Sequence, residues 1–110
     1  MDLFAGLPVA DYERAVGWYR RLLGAGPSFL PNATEAVWEV AEHGYLYIDV
    51  RPGSAGHAMH TLFVDDLDAR VEGIAARGLE PAEQETYDNG VRKVVYRDPD
   101  GNEVGFAGGA

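Results

Sequence analysis

Residues 96–108 read YRDPDGNEVGFAG, and this stretch predicts the closing hairpin of a β-sheet. The turn residues DPDGN separate two β-type runs, which is typical of a hairpin whose glycine adopts a positive φ. We predict strands over residues 91–97 and 103–107, joined by a turn containing Gly101. The second strand carries Gly105, whose missing side chain either leaves space beside a ligand or eases strand twist and packing.

An internal repeat extends this pattern to the whole chain. LPVADYERAVGWYRRLLGAGP and LFVDDLDARVEGIAARGLEP each predict a strand running into a helix, and Val9 and Val64 match at an offset of 55 residues. Asp11 is a natural N-cap for the first helix, and Asp65 or Asp66 for the second. Gly24 and Gly78 are predicted to end the two helices.

The remaining runs complete two modules with the order βαβββ. YDNG supplies a second glycine turn, and a tight His43-Gly44 turn is predicted to pair Trp38 with Asp49. We expect one α+β domain over residues 1–110, with modules at 1–53 and 59–110 joined by a flexible link at 51–58. The additional strands are predicted over residues 28–30, 36–42, 45–51 and 82–86.

Composition excludes several classes of site. The absence of cysteine rules out disulfides, thiolate metal sites and cysteine nucleophiles. A formal charge of −9 disfavours nucleic-acid binding and indicates either solubility or a preference for cationic ligands. No apolar run is long enough to span a membrane and no secretory signal is recognisable, so we expect a cytoplasmic protein.

The segments LPVADYERAVGWYRRLLG, HTLFVDDLDARVEGIAARG and YRDPDGNEVGF resemble the vicinal oxygen chelate superfamily. This group contains glyoxalase I, extradiol dioxygenases, fosfomycin-modifying enzymes and bleomycin-resistance proteins. The resemblance implies an open, cup-like mixed β-sheet with flanking helices, built from two tandem βαβββ modules. The fold supports many unrelated activities.

Enzymes of this superfamily bind a divalent metal in the cup through His and Glu or Gln on four strands. Carried onto this sequence, those positions are Phe4, Asp49, Met59 and Gly105. Such an ion needs several hard oxygen or nitrogen donors, and Asp49 alone does not provide them. The resemblance therefore implies a site without a metal or other cofactor.

Strand alternation predicts which side chains line the cup, because residues two apart share a face. The lining is expected to be aromatic and mostly neutral, which suits a large, flat organic ligand. Ordinary core packing is the alternative for the aromatic residues. The predicted ligand-binding residues are Phe4, Trp38, Tyr47, Asp49, Met59, Phe63, Val95, Arg97 and Gly105, with Thr61 and Lys93 on the same inner face.

No catalytic residues are predicted. His57 and His60 have a spacing that is a weak metal signature in extended chain, and His60 should point away from the cup. Ser28 and Ser54 lack a recognisable base.

The sequence most resembles the bleomycin-resistance branch, whose members hold a drug without changing it, as dimers with clefts between subunits. We therefore expect a homodimer that sequesters a bulky aromatic antibiotic and confers self-resistance. Three alternatives remain: a metal-dependent lyase, isomerase or dioxygenase; a metal-free isomerase or cyclase with Asp49 as base; and a small-molecule sensor or partner-binding module.

Overall fold

A computed structural model of the chain describes residues 1–109. Two helices and eight strands follow one another in the predicted order, and a short 3-10 turn, Pro52–Ser54, begins the link between the modules. The strands are β1 (Leu3–Val9), β2 (Phe29–Asn32), β3 (Glu35–Ala41), β4 (Gly44–Val50), β5 (Met59–Val64), β6 (Glu83–Thr86), β7 (Arg92–Arg97) and β8 (Glu103–Gly108), and the helices are α1 (Tyr12–Leu23) and α2 (Leu67–Ala76).

Each module folds into its own four-stranded mixed sheet. The strand order is β1-β4-β3-β2 in the first module and β5-β8-β7-β6 in the second. The first strand of each module pairs in parallel with the last, and the other neighbours pair antiparallel. The predicted α+β fold of two tandem βαβββ modules is confirmed, and the two sheets form no closed barrel.

Both helices have the predicted capping residues at or next to their ends, although only the N-cap of α1 makes a side-chain capping hydrogen bond. The Asp11 side chain accepts from Arg14 N at 3.1 Å, and Gly24 closes α1 with a φ of 81°. Asp66 is the N-cap residue of α2, and Gly78 follows that helix with a φ of 94°. Both glycines occupy the left-handed region that side chains with a Cβ disfavour, which makes them efficient stop signals.

One hydrophobic core joins the two modules. The helix-facing residues of both sheets contribute to it, together with the apolar stripes of α1 and α2. Its largest fully buried members are Tyr19, Tyr96 and Phe106. Since the core lies against one face of each sheet, the opposite faces are left exposed.

The β3–β4 hairpin differs from the predicted one. Glu42 and His43 form the two-residue loop, with Ala41 opposite Gly44 and His43 at a φ of 63°. The register then slips by one residue at Val40, so Trp38 faces Leu46 and not Asp49. Moving the loop from His43-Gly44 to Glu42-His43 shifts the partner of each β3 residue by two positions, which keeps the same residues on each face. The bulge shifts the partner by one further position, and this exchanges the two faces of β3.

Side chains in the DPDGN turn connect the second module to the first. Asn102, which is fully buried, donates from Nδ2 to Pro8 O at 2.7 Å and accepts from Ala58 N at 3.0 Å. His60 Nε2 lies 2.8 Å from Gly6 O, so His60 points away from the exposed sheet face as predicted. The described residues contain no helix that is long and apolar enough to cross a membrane.

Candidate functional site

The exposed face of the first sheet carries a row of rings, here called the aromatic face: Phe29, Tyr45, Phe4 and Tyr47. Phe4 stacks on Tyr45 with ring centroids 4.4 Å apart and an interplanar angle of 11°. Tyr47 and Phe29 approach this pair edge-on, each at 6.4 Å. Phe4 is 47% exposed and Phe29 is 45% exposed, so the row offers stacking area to a ligand.

Gly6 permits the position of Tyr47. The two residues are opposite each other on β1 and β4, and a Cβ on Gly6 would lie 2.8 Å from the Tyr47 phenol oxygen. The ring of Tyr47 therefore lies over the β1 backbone instead of projecting away from the sheet. Partial desolvation and the nearby Glu39 carboxylate raise the pKa of the Tyr45 phenol, which keeps that hydroxyl protonated.

The exposed face of the second sheet is different, and we call it the charged face. Arg97 bridges two carboxylates on neighbouring strands, Glu83 at 2.9 Å and Glu103 at 3.1 Å, and their hydrogen bonds raise the pKa of its guanidinium. Val95 is buried between these strands. The charged face is formed by Glu83, Glu85, Lys93, Arg97 and Glu103.

Lys93 lies across Gly105 on the charged face. A Cβ on Gly105 would lie 2.9 Å from Lys93 Cε and 3.4 Å from Thr61 Oγ1. Because Gly105 has no side chain, the aliphatic stem of Lys93 can pass directly over its backbone. Within residues 1–109, the Lys93 ammonium takes part in no ion pair and no side-chain hydrogen bond.

Strand register corrects one of the four positions that correspond to metal ligands in related enzymes. Phe4 is opposite Tyr45, and its repeat counterpart Met59 is opposite Glu103. Two residues further along each strand lie Tyr47 and Gly105, so Tyr47 is the counterpart of Gly105 and Asp49 is not. The position predicted from spacing alone, Asp49, therefore lies two residues too far along β4.

The side chains at these positions do not fit a divalent metal. Phe4, Tyr47, Met59 and Gly105 include no imidazole and no carboxylate, the donors that such ions require. Across the described part of the chain, no three His, Asp or Glu side chains come together in a way that could hold an ion.

The predicted cup position of Trp38 is wrong. Its side chain is 2% exposed and faces the helix, where the ring lies 5.9 Å from that of Tyr19. Its indole Nε1 donates to Ala25 O at 2.9 Å, which satisfies its only donor. The bulge at Val40 turns Trp38 to this face.

Of the other predicted site residues, Met59 and Phe63 project from the same face of β5 and are 70% and 71% exposed. Asp49 is on the first sheet beside the aromatic face, but Arg51 Nε binds its Oδ2 at 2.8 Å. That hydrogen bond raises the pKa of Arg51 and leaves Asp49 partly neutralised.

Two members of the aromatic face, Phe29 and Tyr45, were not predicted from the sequence. Tyr45 could have been found, because alternation along β4 places Tyr45, Tyr47 and Asp49 on one face. Phe29 carries no such signal, since its place opposite Val37 depends on the short and irregular pairing of β2 with β3.

A groove of about 410 Å³ lies between the end of β3 and the outer edge of β5. Trp38, Leu62 and Phe106 contribute to its walls. The Arg70 guanidinium lies 5.4 Å from the centre of the Phe106 ring at the same groove. This volume is large enough for a small molecule, so the groove is a second candidate location for a ligand.

The family model for the glyoxalase/bleomycin resistance protein/dioxygenase superfamily matches residues 3–106. The chain belongs to this superfamily. The crystal structure of a glyoxalase/bleomycin resistance protein from Catenulispora acidiphila is similar to the chain, with 56% identity, a TM-score of 0.96 and coverage of 100% of this chain and 99% of the other. No curated protein is similar enough to count as a match.

More distant superfamily members show the same fold with different described activities. A bleomycin-binding protein solved with bleomycin has 21% identity and a TM-score of 0.79, covering 100% of this chain and 99% of the other. Lactoylglutathione lyase from Agrobacterium tumefaciens has 20% identity and a TM-score of 0.77, covering 99% and 93%. The superfamily thus includes both binding proteins and enzymes, and fold alone does not choose between them.

Proposed function

We propose that this protein binds a bulky aromatic natural-product antibiotic and sequesters it without chemical change, thereby protecting the cell that makes or meets the drug. The aromatic face carries the proposal. Its rings stack and meet edge-on, Phe4 and Phe29 are nearly half exposed, and the half-buried Tyr45 and Tyr47 add directional phenol groups. Flat aromatic ligands bind to such surfaces by stacking and loss of exposed area.

The residues at the four metal-ligand positions support binding over metal-dependent chemistry. Three of them, Phe4, Tyr47 and Met59, place large side chains where enzymes of the superfamily carry hard donors. Asp49, two residues beyond Tyr47 on β4, is bound by Arg51. Arg51 Nε holds Asp49 Oδ2 at 2.8 Å, so this carboxylate oxygen is not free to approach a substrate proton, which disfavours the metal-free isomerase alternative.

A homodimer is part of the proposal. Met59 and Phe63 expose most of their apolar surface in one copy, and the aromatic face is open on one side. A second copy that placed its charged face opposite the aromatic face would bury this surface and enclose a ligand between subunits. Contiguous exposed apolar area of this kind is characteristic of interaction surfaces.

Native mass spectrometry of the purified protein tests the proposal, before and after incubation with a panel of aromatic antibiotics, with elemental analysis of the same sample. We expect a dimer that gains one or two intact drug masses. A drug mass that changes on incubation, or stoichiometric Zn, Mn, Ni or Fe after gentle purification, would instead establish an enzyme. A monomer at micromolar concentration would contradict the shared cleft.

A further inference from the structure

Lys93 gives the charged face a cation beside the position that lacks a metal ligand. Its stem crosses Gly105, where a Cβ would lie 2.9 Å from Lys93 Cε. The Thr61 hydroxyl borders the same space, 3.4 Å from that Cβ position. The Lys93 stem and the Thr61 hydroxyl therefore occupy the space that a side chain at position 105 would take, and both carry hydrogen-bond donors.

The other charged groups on this face are already engaged. Arg97 is held between Glu83 and Glu103. Glu85 is opposite Lys93 in register, yet the two form no ion pair, and Glu85 lies beside the Tyr87 phenol, whose pKa is raised by desolvation and by that carboxylate. Among the described residues, Lys93 is the cation of this face whose donors remain available to a ligand.

We infer that Lys93 takes the place of the superfamily's metal as the cationic anchor of the site, and that the ligand presents it with an anionic oxygen on an aromatic skeleton. Phenolates, enolates, carboxylates and sulfonates share this chemistry. The inference rests on the proposed function, in which the aromatic face of one copy binds the aromatic skeleton and the charged face of the second copy brings Lys93 to the charge.

The net charge of −9 makes this selection measurable. An acidic protein repels anions in general, so an anionic ligand binds more tightly than its neutral analogue only where a local cation attracts it. Lys93 provides that attraction because it forms no ion pair with the three glutamates that border the same cavity, Glu83, Glu85 and Glu103. A charge-assisted hydrogen bond to a partly exposed ammonium corresponds to about a tenfold change in affinity.

Two fluorescent probes with one skeleton test the inference: 8-anilinonaphthalene-1-sulfonate, which is anionic, and N-phenyl-1-naphthylamine, which is neutral. We expect the wild-type protein to bind both and to prefer the sulfonate. Lys93→Met should lower affinity for the sulfonate about tenfold and leave the neutral probe nearly unchanged. Lys93→Arg should retain most of the preference.

Two further variants separate charge from structure. Arg92→Met removes one positive charge from the opposite face of β7, where Arg92 pairs with Asp68 at 2.8 Å, and should leave both affinities unchanged. Gly105→Ala forces the lysine stem to move without straining the backbone, so it should weaken sulfonate binding while the melting temperature stays near that of wild type.

The outcomes distinguish the two proposals. Equal affinity for the probes in the wild type, or an equal loss of both in Lys93→Met, would overturn the role of Lys93 while leaving the aromatic site intact. A protein that binds neither probe would overturn both the aromatic face as the place where the ligand binds and Lys93 as its anchor, whereas a protein that gains no antibiotic mass yet still prefers the sulfonate would overturn sequestration alone.

Discussion

The Tyr19 hydroxyl donates to Asp98 Oδ2 at 2.8 Å, joining α1 of the first module to the β7–β8 turn of the second. The other oxygen of Asp98 accepts the backbone N–H groups of Asp100, Gly101 and Asn102, each at 2.9 Å. A buried carboxylate is costly unless its oxygens are hydrogen-bonded, and here one turn and one phenol from the other module supply the donors. The DPDGN sequence is therefore a connector between modules as well as a turn.

Tyr19→Phe should lower the free energy of unfolding by about 1–3 kcal/mol, because Asp98 then loses one donor in a buried site. Chemical denaturation measures the change. Tyr12→Phe is the matched control, since the Tyr12 hydroxyl makes only a long contact, 3.4 Å, with Glu35 O. Equal effects from the two substitutions would show that the contact between modules adds nothing specific.

Alkaline pH should destabilise the fold through the same phenol. Burial, followed by the charge of Asp98 and the hydrogen bond to it, raises the pKa of Tyr19 far above its ordinary value near 10. The folded state holds the proton that the unfolded state releases, so this contribution is complete below pH 10 and is lost as pH rises beyond it. Tyr19→Phe should make the decline of stability above pH 10 less steep in denaturation curves, and an unchanged slope would refute this.

Tyr96→Phe should be neutral or stabilising by up to about 1 kcal/mol, in contrast to Tyr19→Phe. The Tyr96 hydroxyl is buried and has no hydrogen-bond partner among the described residues. Without this hydroxyl, no unpaired polar group has to leave water when the protein folds. The ring keeps its edge-on contact with Phe106 at 6.1 Å. Thermal unfolding checks the sign, and a large loss of stability would reveal a partner for the hydroxyl.

Phe4→Ala and Trp38→Ala should separate binding from folding. Phe4→Ala removes an exposed ring and should weaken the binding of an aromatic ligand by about 1–3 kcal/mol, with little change in the free energy of unfolding. Trp38→Ala should lower the free energy of unfolding by about 3–5 kcal/mol, because the indole fills the core. Titration calorimetry and denaturation of both variants test this.

The groove beside Arg70 provides the alternative location, and Arg70→Gln tests it. If the ligand lies on the aromatic face, this substitution should leave affinity unchanged, because the guanidinium lies at the groove over the Phe106 ring. Loss of binding in Arg70→Gln together with normal binding in Phe4→Ala would move the site to the groove.

The sequence alone predicted the elements because their signals are local. Asp11 caps the start of α1 with its side chain, and Gly24 ends the helix through its left-handed backbone conformation. Both effects act over a single turn. Gly90 and Gly101 adopt the positive φ values that their turns required, 87° and 103°. The repeat at an offset of 55 residues placed Phe4 and Met59 at equivalent positions, and each lies five residues before the end of its strand, at Val9 in β1 and at Val64 in β5.

Tertiary structure decided what each strand face carries. Alternation fixes which residues share a face, but the sheet register fixes which face is exposed, and the bulge at Val40 reverses it for Trp38. The contact of Lys93 with Gly105 likewise depends on the pairing of β7 with β8. The two residues are twelve positions apart in the chain, and only this pairing brings the lysine stem over the glycine. Local sequence thus determined two capped βαβββ modules, whereas long-range pairing determined that one sheet exposes a row of aromatic rings and the other a lysine that crosses a glycine.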